Sequence, residues 1–449
     1  MNDLTPERIR NRIILLIGGR TYRAQAFVQA AEKLGLEVIK GIDLPKDLAE
    51  FYHPTLPLQF RNAEESAQQV IAYAKKNPVR AVISVDDDAT VIAALAADEL
   101  DLTSNSPDAA YAAKNKALMR ERLANARVPQ PNFQLFSIDD DPAQIAPRVQ
   151  FPCVVKPTLL SASQGVIRAN NAQEFIDAWN TTREIVMKHE PSVETDVSSS
   201  RNPQSGFARG LPSDSIRWQA RQHILVEDYI DGVEVALEGL LSGGQLKLLA
   251  LFDKPDPLQG PYFEETIYVT PSRLPRETQK EIFDTAARAC AAIGLRDGPI
   301  HAELRVNDAG AWVIEVAGRS IGGLCSKTLR FGDGNISLEE LILRHALGQE
   351  IAGIAREDRA SGVMMIPIPA RGLLKKVEGL EEAQAVRGIE EIHITIAPNH
   401  PVVPLPEGNS YLGFIFARGE TPAEVEAALR AAHARIKFTI APGLRLTPQ

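Results

Sequence analysis

Two glutamates, Glu303 and Glu315, carry the most legible chemistry in this chain. They lie in GPIHAELRVNDAGAWVIEVAGRSIGG (298–323), which reads as two alternating strands. Asn307, Asp308, Ala309 and Gly310 supply turn chemistry between them. Ile300, Ala302, Leu304 and Val306 share one face of the first strand, and His301, Glu303 and Arg305 share the other. A hairpin centred on Ala309 sets Glu303 opposite Glu315, with Cβ atoms ~5 Å apart. Like charges at that distance are unfavourable unless a cation lies between them. Mg²⁺ takes carboxylate oxygens together with phosphate oxygens and water, so the pair reads as a nucleotide–magnesium site. A one-residue slip would send the two carboxylates to opposite faces and remove the site. The competing reading is a carboxylate exposed on an edge strand, and the apolar run WVIEV around Glu315 weighs against it. Zinc on His301 and Glu303 is disfavoured, because no second histidine is near. Arg319, just before Gly322-Gly323, offers a guanidinium to a phosphate or a developing oxyanion. Its alternative is a surface arginine paired with acids.

These groups need elements to hold them. RIILLI (12–17) is an apolar run of buried parallel-strand type. Gly18-Gly19, a helical pattern ending at Gly35, the strand LEVIK and a third strand VRAVISV (79–85), followed by three aspartates, complete a βαβ-type unit. The turn reads GGRTYRA and lacks the later glycines of a dinucleotide fingerprint, so NAD binding is disfavoured despite the tempting position of Asp43. Residues 108–125 read as helical and carry Lys114 and Lys116. FPCVVKP (151–157) is a strand ending near Lys156, and TLLSASQG (158–165) is a small-residue loop. A helix over 171–189 leads into a Ser/Pro/Gly-rich stretch, 190–215, with the composition of a mobile insertion. HILVEDYI, VEVALEGLL and LKLLALFDK follow as strands, then an amphipathic helix over 279–293 that Gly294 stops. From about residue 355, VMMIPIPA, IEEIHITI and LGFIFARG read as strands. A helix capped by Thr421 follows, and the whole reads as a separate α+β unit.

Composition excludes more than it selects. A chain of 449 residues holds two to four domains. Its net charge of -9 gives no electrostatic reason to bind nucleic acid or an anionic membrane. No stretch is apolar and long enough for a transmembrane helix, and the polar start MNDLTPERIRNR has no signal-peptide core. Cys153, Cys290 and Cys325 lie far apart, form no zinc pattern and suit a reducing cytoplasm.

Taken in order, Lys116, VVKP with Lys156, the small-residue loop, VEDYIDGVEVALEG, HAEL and VIEVAGR resemble the ATP-grasp superfamily over roughly 110–350. GPIHAELRV, DKPDPLQGPYFEETIYVTPS and the C-terminal unit look most like carboxylate–amine ligases of the L-amino acid ligase (dipeptide-forming) type. The resemblance implies an α/β and α+β architecture. A Rossmann-like pre-ATP-grasp domain would cover 1–110. An ATP-grasp domain over 111–352 would include a lid at about 150–235. A C-terminal α+β domain would cover 353–449.

The same resemblance implies ATP and Mg²⁺, with Mn²⁺ as an alternative ion, and assigns roles. Lys116 and Lys156 contact phosphates, and the loop with Ser161, Ser163 and Gly165 closes over them. Glu227, Asp228, Tyr229 and Ile230 form the adenine-holding hinge, and Glu234 accepts from ribose. Glu303 and Glu315 hold the metal, and Arg319 stabilises an acyl phosphate. His301 either touches substrate or is a strand histidine with its own partners. Ala317 departs from the asparagine that many relatives place there, which leaves the metal number open. The implied reaction phosphorylates a substrate carboxylate, after which an amine displaces phosphate. Substrates would be small carboxylates and amines, amino acids above all. Tyr262, Phe263, Glu264 and Glu265 could line an acceptor pocket, and the protein could form a homodimer. Rival readings are a sibling that activates formate or bicarbonate, and a non-catalytic nucleotide-binding module.

Overall fold

The protein was analysed as a computed structural model, which describes residues 11–19, 21–44, 55–189 and 222–442. The stretch 190–215, expected to be a mobile insertion, lies outside the described residues.

Arg12–Ile17 is buried at all six positions and sits inside a parallel four-stranded sheet. Its neighbours are Glu37–Asp43 and Ala81–Ser84, with Thr55–Leu58 at the edge. Strands covered on both faces need apolar residues at successive positions, which is why this run does not alternate. Gly18-Gly19, Asp43 and Asp86–Asp88 follow the carboxyl ends of these strands, the edge where open α/β sheets gather ligand groups.

The helical stretch after this sheet is two helices, Pro107–Lys114 and Lys116–Asn125. Asn115 divides them, because its side chain accepts from the N–H groups of Ala117 and Leu118 and caps the second helix. Lys116 thereby sits at a helix start, where its N–H donates to the Thr158 carbonyl at 2.9 Å. A small antiparallel sheet follows in the order Phe133–Ser137, His223–Asp228, Cys153–Pro157, Ile167–Ala169. The helix Ala172–His189 covers it through buried Phe175 and Trp179.

The largest sheet has eight strands. Gly310–Ala317, Gly298–Asn307, Val233–Ser242, Gln245–Asp253 and Ile267–Thr270 come from the central part of the chain. Ala360–Ile366, Gly413–Gly419 and Ile389–Ile394 continue the same sheet, with Ile267 opposite Met364 and Thr270 opposite Ser361. The C-terminal unit therefore shares a sheet with the central body and does not stand apart. Alternation and burial mark a strand without naming the sheet it joins, and Ala360–Ile366 is buried throughout because strands flank it on both sides.

The carboxylate hairpin reaches the expected pairing by a different geometry. Asn307 faces Gly310 across a two-residue turn, and that register alone would set Glu303 against Ile314. A β-bulge inserts Ile314 and restores Glu303 opposite Glu315. Buried Arg120 holds the bulge, donating to the carbonyls of Val313 and Ile314 at 3.4 and 2.5 Å. Gly232, between the small sheet and the body, has φ +108 and leaves only 2.1 Å between an added Cβ and the Val306 carbonyl oxygen. Gly232→Ala is expected to lower stability by well over ~1 kcal/mol, read as a drop in the denaturant midpoint.

Candidate active site

A cavity of about 860 Å³ lies where the three sheets meet. All the residues singled out from sequence as binding, metal-holding or catalytic line it except Gly165. The Gly165 N–H donates to the Pro406 carbonyl at 2.9 Å, and the neighbouring Gln164 side chain donates to the Glu407 carbonyl at 2.7 Å. Gly165 thus anchors the 158–165 loop to the C-terminal unit, while Ser161 and Ser163 face the cavity. Ala162 and Ser163 both have φ +55, a left-handed conformation uncommon outside glycine.

At one end lie Glu227, Asp228, Tyr229 and Ile230, expected to form a hinge. The N–H groups of Asp228 and Tyr229 are already taken by the carbonyls of Asn132 and Pro152, both at 3.0 Å, and the Ile230 carbonyl accepts from Arg305 at 2.7 Å. The Tyr229 ring stacks on Phe263 and lies under the Arg168 guanidinium at 3.9 Å. Tyr262 and Glu264 do not line the cavity, whereas Phe263 and Glu265 do. Tyr262 instead bridges to Ile167 of the small sheet.

Glu227 is buried between Arg120 Nε at 2.6 Å and Lys156 Nζ at 2.5 Å. Burial would raise its carboxyl, but the two cations outweigh burial and hold it at about 2. Burial and Arg120 pull Lys156 below the ordinary lysine range, against the pull of Glu227. Lys116 Nζ donates to the Leu160 carbonyl at 2.7 Å and to Glu315 Oε1 at 3.2 Å. Two lysines, each beside a carboxylate, so lie next to the 158–165 loop.

Glu234, Glu265 and Glu303 form a three-carboxylate cluster. Lys254, missed from sequence, pairs with all three, at 2.8 Å from Glu234 and 3.3 Å from Glu303. The three acids raise its ammonium well above the ordinary range despite burial. Lys254 thus serves as the counter-cation of that cluster, and Glu303, which belongs to it, also lies opposite Glu315. Burial would raise the Glu303 carboxyl, but Lys254 and His301 hold it far below the ordinary range. Ala317, opposite His301, adds no donor atom. Glu234 also takes Arg305 Nε at 2.8 Å, so both its oxygens accept from cations of the chain.

His301 is a buried link between carboxylates. Its Nδ1 meets Glu238 Oε1 and its Nε2 lies 3.2 Å from Glu303 Oε1. Burial pulls the imidazolium down, yet Glu238 and then Glu303 raise it to about 9. The other Glu238 oxygen accepts the Ile321 N–H at 3.1 Å, which fixes the approach to Gly322-Gly323. Arg319 pairs with Asp87 Oδ2 at 2.9 Å, so the aspartate run after the third strand reaches the site from the N-terminal sheet. Burial opposes its charge, but Asp87 lifts the guanidinium above its ordinary value. Asp87, Lys254, Glu238 and Arg120 left only weak sequence signals: charges at strand ends, within an apolar strand or on a helix.

Comparison with known proteins agrees with this geometry. The chain matches the ATP-grasp domain over residues 149–202 and 213–328, the ATP-grasp N-terminal domain over 28–103 and the L-amino acid ligase C-terminal domain 2 over 364–441. Alanine–anticapsin ligase of Bacillus subtilis (strain 168) is 25% identical over 281 residues, 61% of this chain and 56% of that protein. Carnosine synthase 1 of Gallus gallus is 27% identical over 328 residues, 70% of this chain and 33% of that protein. The chain thus spans about half the length of the first and a third of the second. The crystal structure of an L-amino acid ligase from Bacillus licheniformis superposes with a TM-score of 0.78 at 24% identity, covering 96% of this chain and 99% of that one. The chain thus carries an ATP-grasp domain preceded by an ATP-grasp N-terminal domain, on a fold shared with that ligase structure. Its C-terminal part matches the domain found in L-amino acid ligases. Among the described residues no helix is long and apolar enough to cross a membrane.

Proposed function

We propose that the chain joins the carboxylate of one amino acid to the amine of another, with ATP converted to ADP and phosphate. The observation that carries this reading is a single cavity bordered at once by Lys116, Lys156, the opposed Glu303 and Glu315, and Arg319. Lys116 and Lys156 would bind phosphate oxygens as point charges on flexible stems. Ser161 and Ser163 would add hydroxyl donors over them. Glu303 and Glu315 would hold Mg²⁺, or Mn²⁺ in its place, and the bound ion would offset charge between the β- and γ-phosphates. The donor carboxylate oxygen attacks the γ-phosphorus, and ADP leaves with the electrons of the broken P–O bond. The amine nitrogen then attacks the acyl carbon, and phosphate leaves. Arg319, oriented by Asp87, would stabilise the oxyanion between these events. The small sheet would act as the lid that keeps water from the acyl phosphate. Three buried free thiols fit a reducing compartment such as the cytoplasm.

The test is an ADP-release screen over pairs of amino acids, with formate and bicarbonate as separate arms. Release that requires two amino acids is the expected result. Release driven by formate or bicarbonate alone favours the sibling chemistry. Tight ATP binding without release under any mixture favours the non-catalytic module. Glu303→Gln and Glu315→Gln are each expected to raise the Mg²⁺ concentration needed for half-maximal turnover by about tenfold or more, since each removes one charged ligand. A magnesium titration of both variants checks this.

A further inference from the structure

Among the described residues, no carboxylate pairs with the buried Arg23. It follows the Gly18-Gly19 turn and directly precedes the helix Ala24–Lys33. The residue is 1% exposed. Its Nη1 donates to the Val85 and Ser320 carbonyls at 2.8 and 3.3 Å, and its Nη2 to Ser320 Oγ at 2.5 Å. Its Nε has no hydrogen-bond partner, and the Phe27 ring lies 5.3 Å from the guanidinium carbon. Every one of these partners is neutral. The other deeply buried arginines of the site each carry a carboxylate: Arg120 has Glu227, Arg305 has Glu234 and Arg319 has Asp87. A buried charge with neutral partners alone is costly, so its retention calls for an anion from outside the chain.

The surroundings reinforce that need. Arg319 Nη1 donates to the same Ser320 carbonyl at 2.9 Å, which makes the two guanidinium groups neighbours. Among the described residues the carboxylate paired with either of them is Asp87, while Glu315 and Glu238 act on Arg319 from further away. The Arg23 side chain does not cap the helix it precedes, the Arg23 N–H donates to Thr21 Oγ1 at 3.1 Å, and among the described residues no atom lies within 4 Å of where a Gly18 Cβ would stand. Gly18, Thr21, Arg23 and Arg319 all line the cavity.

The ligation reaction sorts its own anions. ATP phosphates have Lys116 and Lys156. The donor carboxylate gives up its charge when it becomes an acyl phosphate. A carboxylate on the amine substrate keeps its charge throughout and leaves as the carboxyl end of the product. A permanent, pre-placed guanidinium suits that group. We infer that Arg23 is the residue that binds the carboxylate of the amine substrate and so discriminates an acceptor amino acid from its amide. This inference rests on the ligase reading above.

The test uses the full chain with ATP and one donor amino acid, and compares an acceptor amino acid with its primary amide. Wild-type enzyme is expected to favour the acid by about tenfold to a hundredfold in kcat/KM, the range for a hydrogen bond to a charged group. Arg23→Gln is expected to raise the KM for the acid by a similar factor, to erase the preference for acid over amide, and to leave the KM values for ATP and donor within about twofold. Arg23→Lys should restore part of the preference. Wild-type enzyme that accepts the amide as readily as the acid overturns the inference, however the variants fold. So does an Arg23→Gln enzyme that keeps the preference, or one in which all three KM values rise together. Wild-type enzyme active on amino acid pairs but indifferent to the acceptor carboxylate leaves the ligase reading standing. A wild type silent with every pair sinks both.

Discussion

Arg319→Ala is expected to cut amino-acid-dependent ADP release by ~10²–10³-fold, the usual cost of losing one oxyanion donor. The side chain is placed for this from two domains. Asp87, in the turn after the N-terminal strand Ala81–Ser84, anchors one end of the guanidinium at 2.9 Å, and the Ser320 carbonyl accepts from Nη1 at 2.9 Å. Removal should leave the KM for ATP nearly unchanged, because Lys116 and Lys156 stay in place. The loss should therefore fall on kcat, as for an interaction made in the transition state. Arg319→Lys should recover little, since an ammonium lacks the planar fork. Asp87→Asn should show a smaller loss of the same kind, because the guanidinium remains but its orientation loosens. Steady-state kinetics on the three variants decide the matter, and a wild-type kcat in Arg319→Ala would remove Arg319 from the mechanism.

Much of this site was legible because its residues lie on regular elements whose period the sequence shows. The run RIILLI announces a doubly covered strand by its lack of alternation, and it is buried at every position. His301, Glu303 and Arg305 share a face by simple alternation, and each meets a partner from that face: Glu238, Lys254 and Glu234 respectively. What escaped was whatever depends on chain crossings. The bulge at Ile314 is held by Arg120, nearly two hundred residues earlier, and nothing local to WVIEV announces it. Asp87 meets Arg319 only because the N-terminal sheet docks on the body. Lys254 sits in LALFDKP, where its stem reads as a strand end and its three acidic partners come from three other segments. Gly165 looked like part of a phosphate loop from composition, yet its N–H is spent on Pro406. The continuation of the large sheet through Ala360–Ile366 belongs to the same class, since pairing partners are a property of topology and each strand carries only its own pattern.

Glu227→Gln is expected to destabilise the protein by about 3–5 kcal/mol near neutral pH, the range for breaking a buried ion pair from one side. Glu227 reads from sequence as a hinge residue that contributes its backbone, and the structure gives its side chain a second task. The carboxylate is 2% exposed and lies between Arg120 and Lys156, which repel one another once it is neutral. It also links the helix Lys116–Asn125 to the small sheet, so its loss should loosen the contact between them. The pH dependence has a definite sign. The folded carboxyl titrates at about 2, below its ordinary value of 4.5, so the unfolded chain binds that proton more readily. The stabilisation is complete above pH ~4.5 and is lost as pH falls towards about 2. A gap of that size corresponds to about 3 kcal/mol, in line with the mutational figure. Unfolding midpoints in denaturant, taken from pH 7 down to pH 3, should fall more steeply for the wild type than for Glu227→Gln. The difference between the two curves isolates this carboxyl from Asp87 and Glu303, whose folded values are also depressed. Parallel curves with a constant offset would show that Glu227 acts through packing alone, and equal midpoints at pH 7 would show that Arg120 and Lys156 find other partners when it is gone.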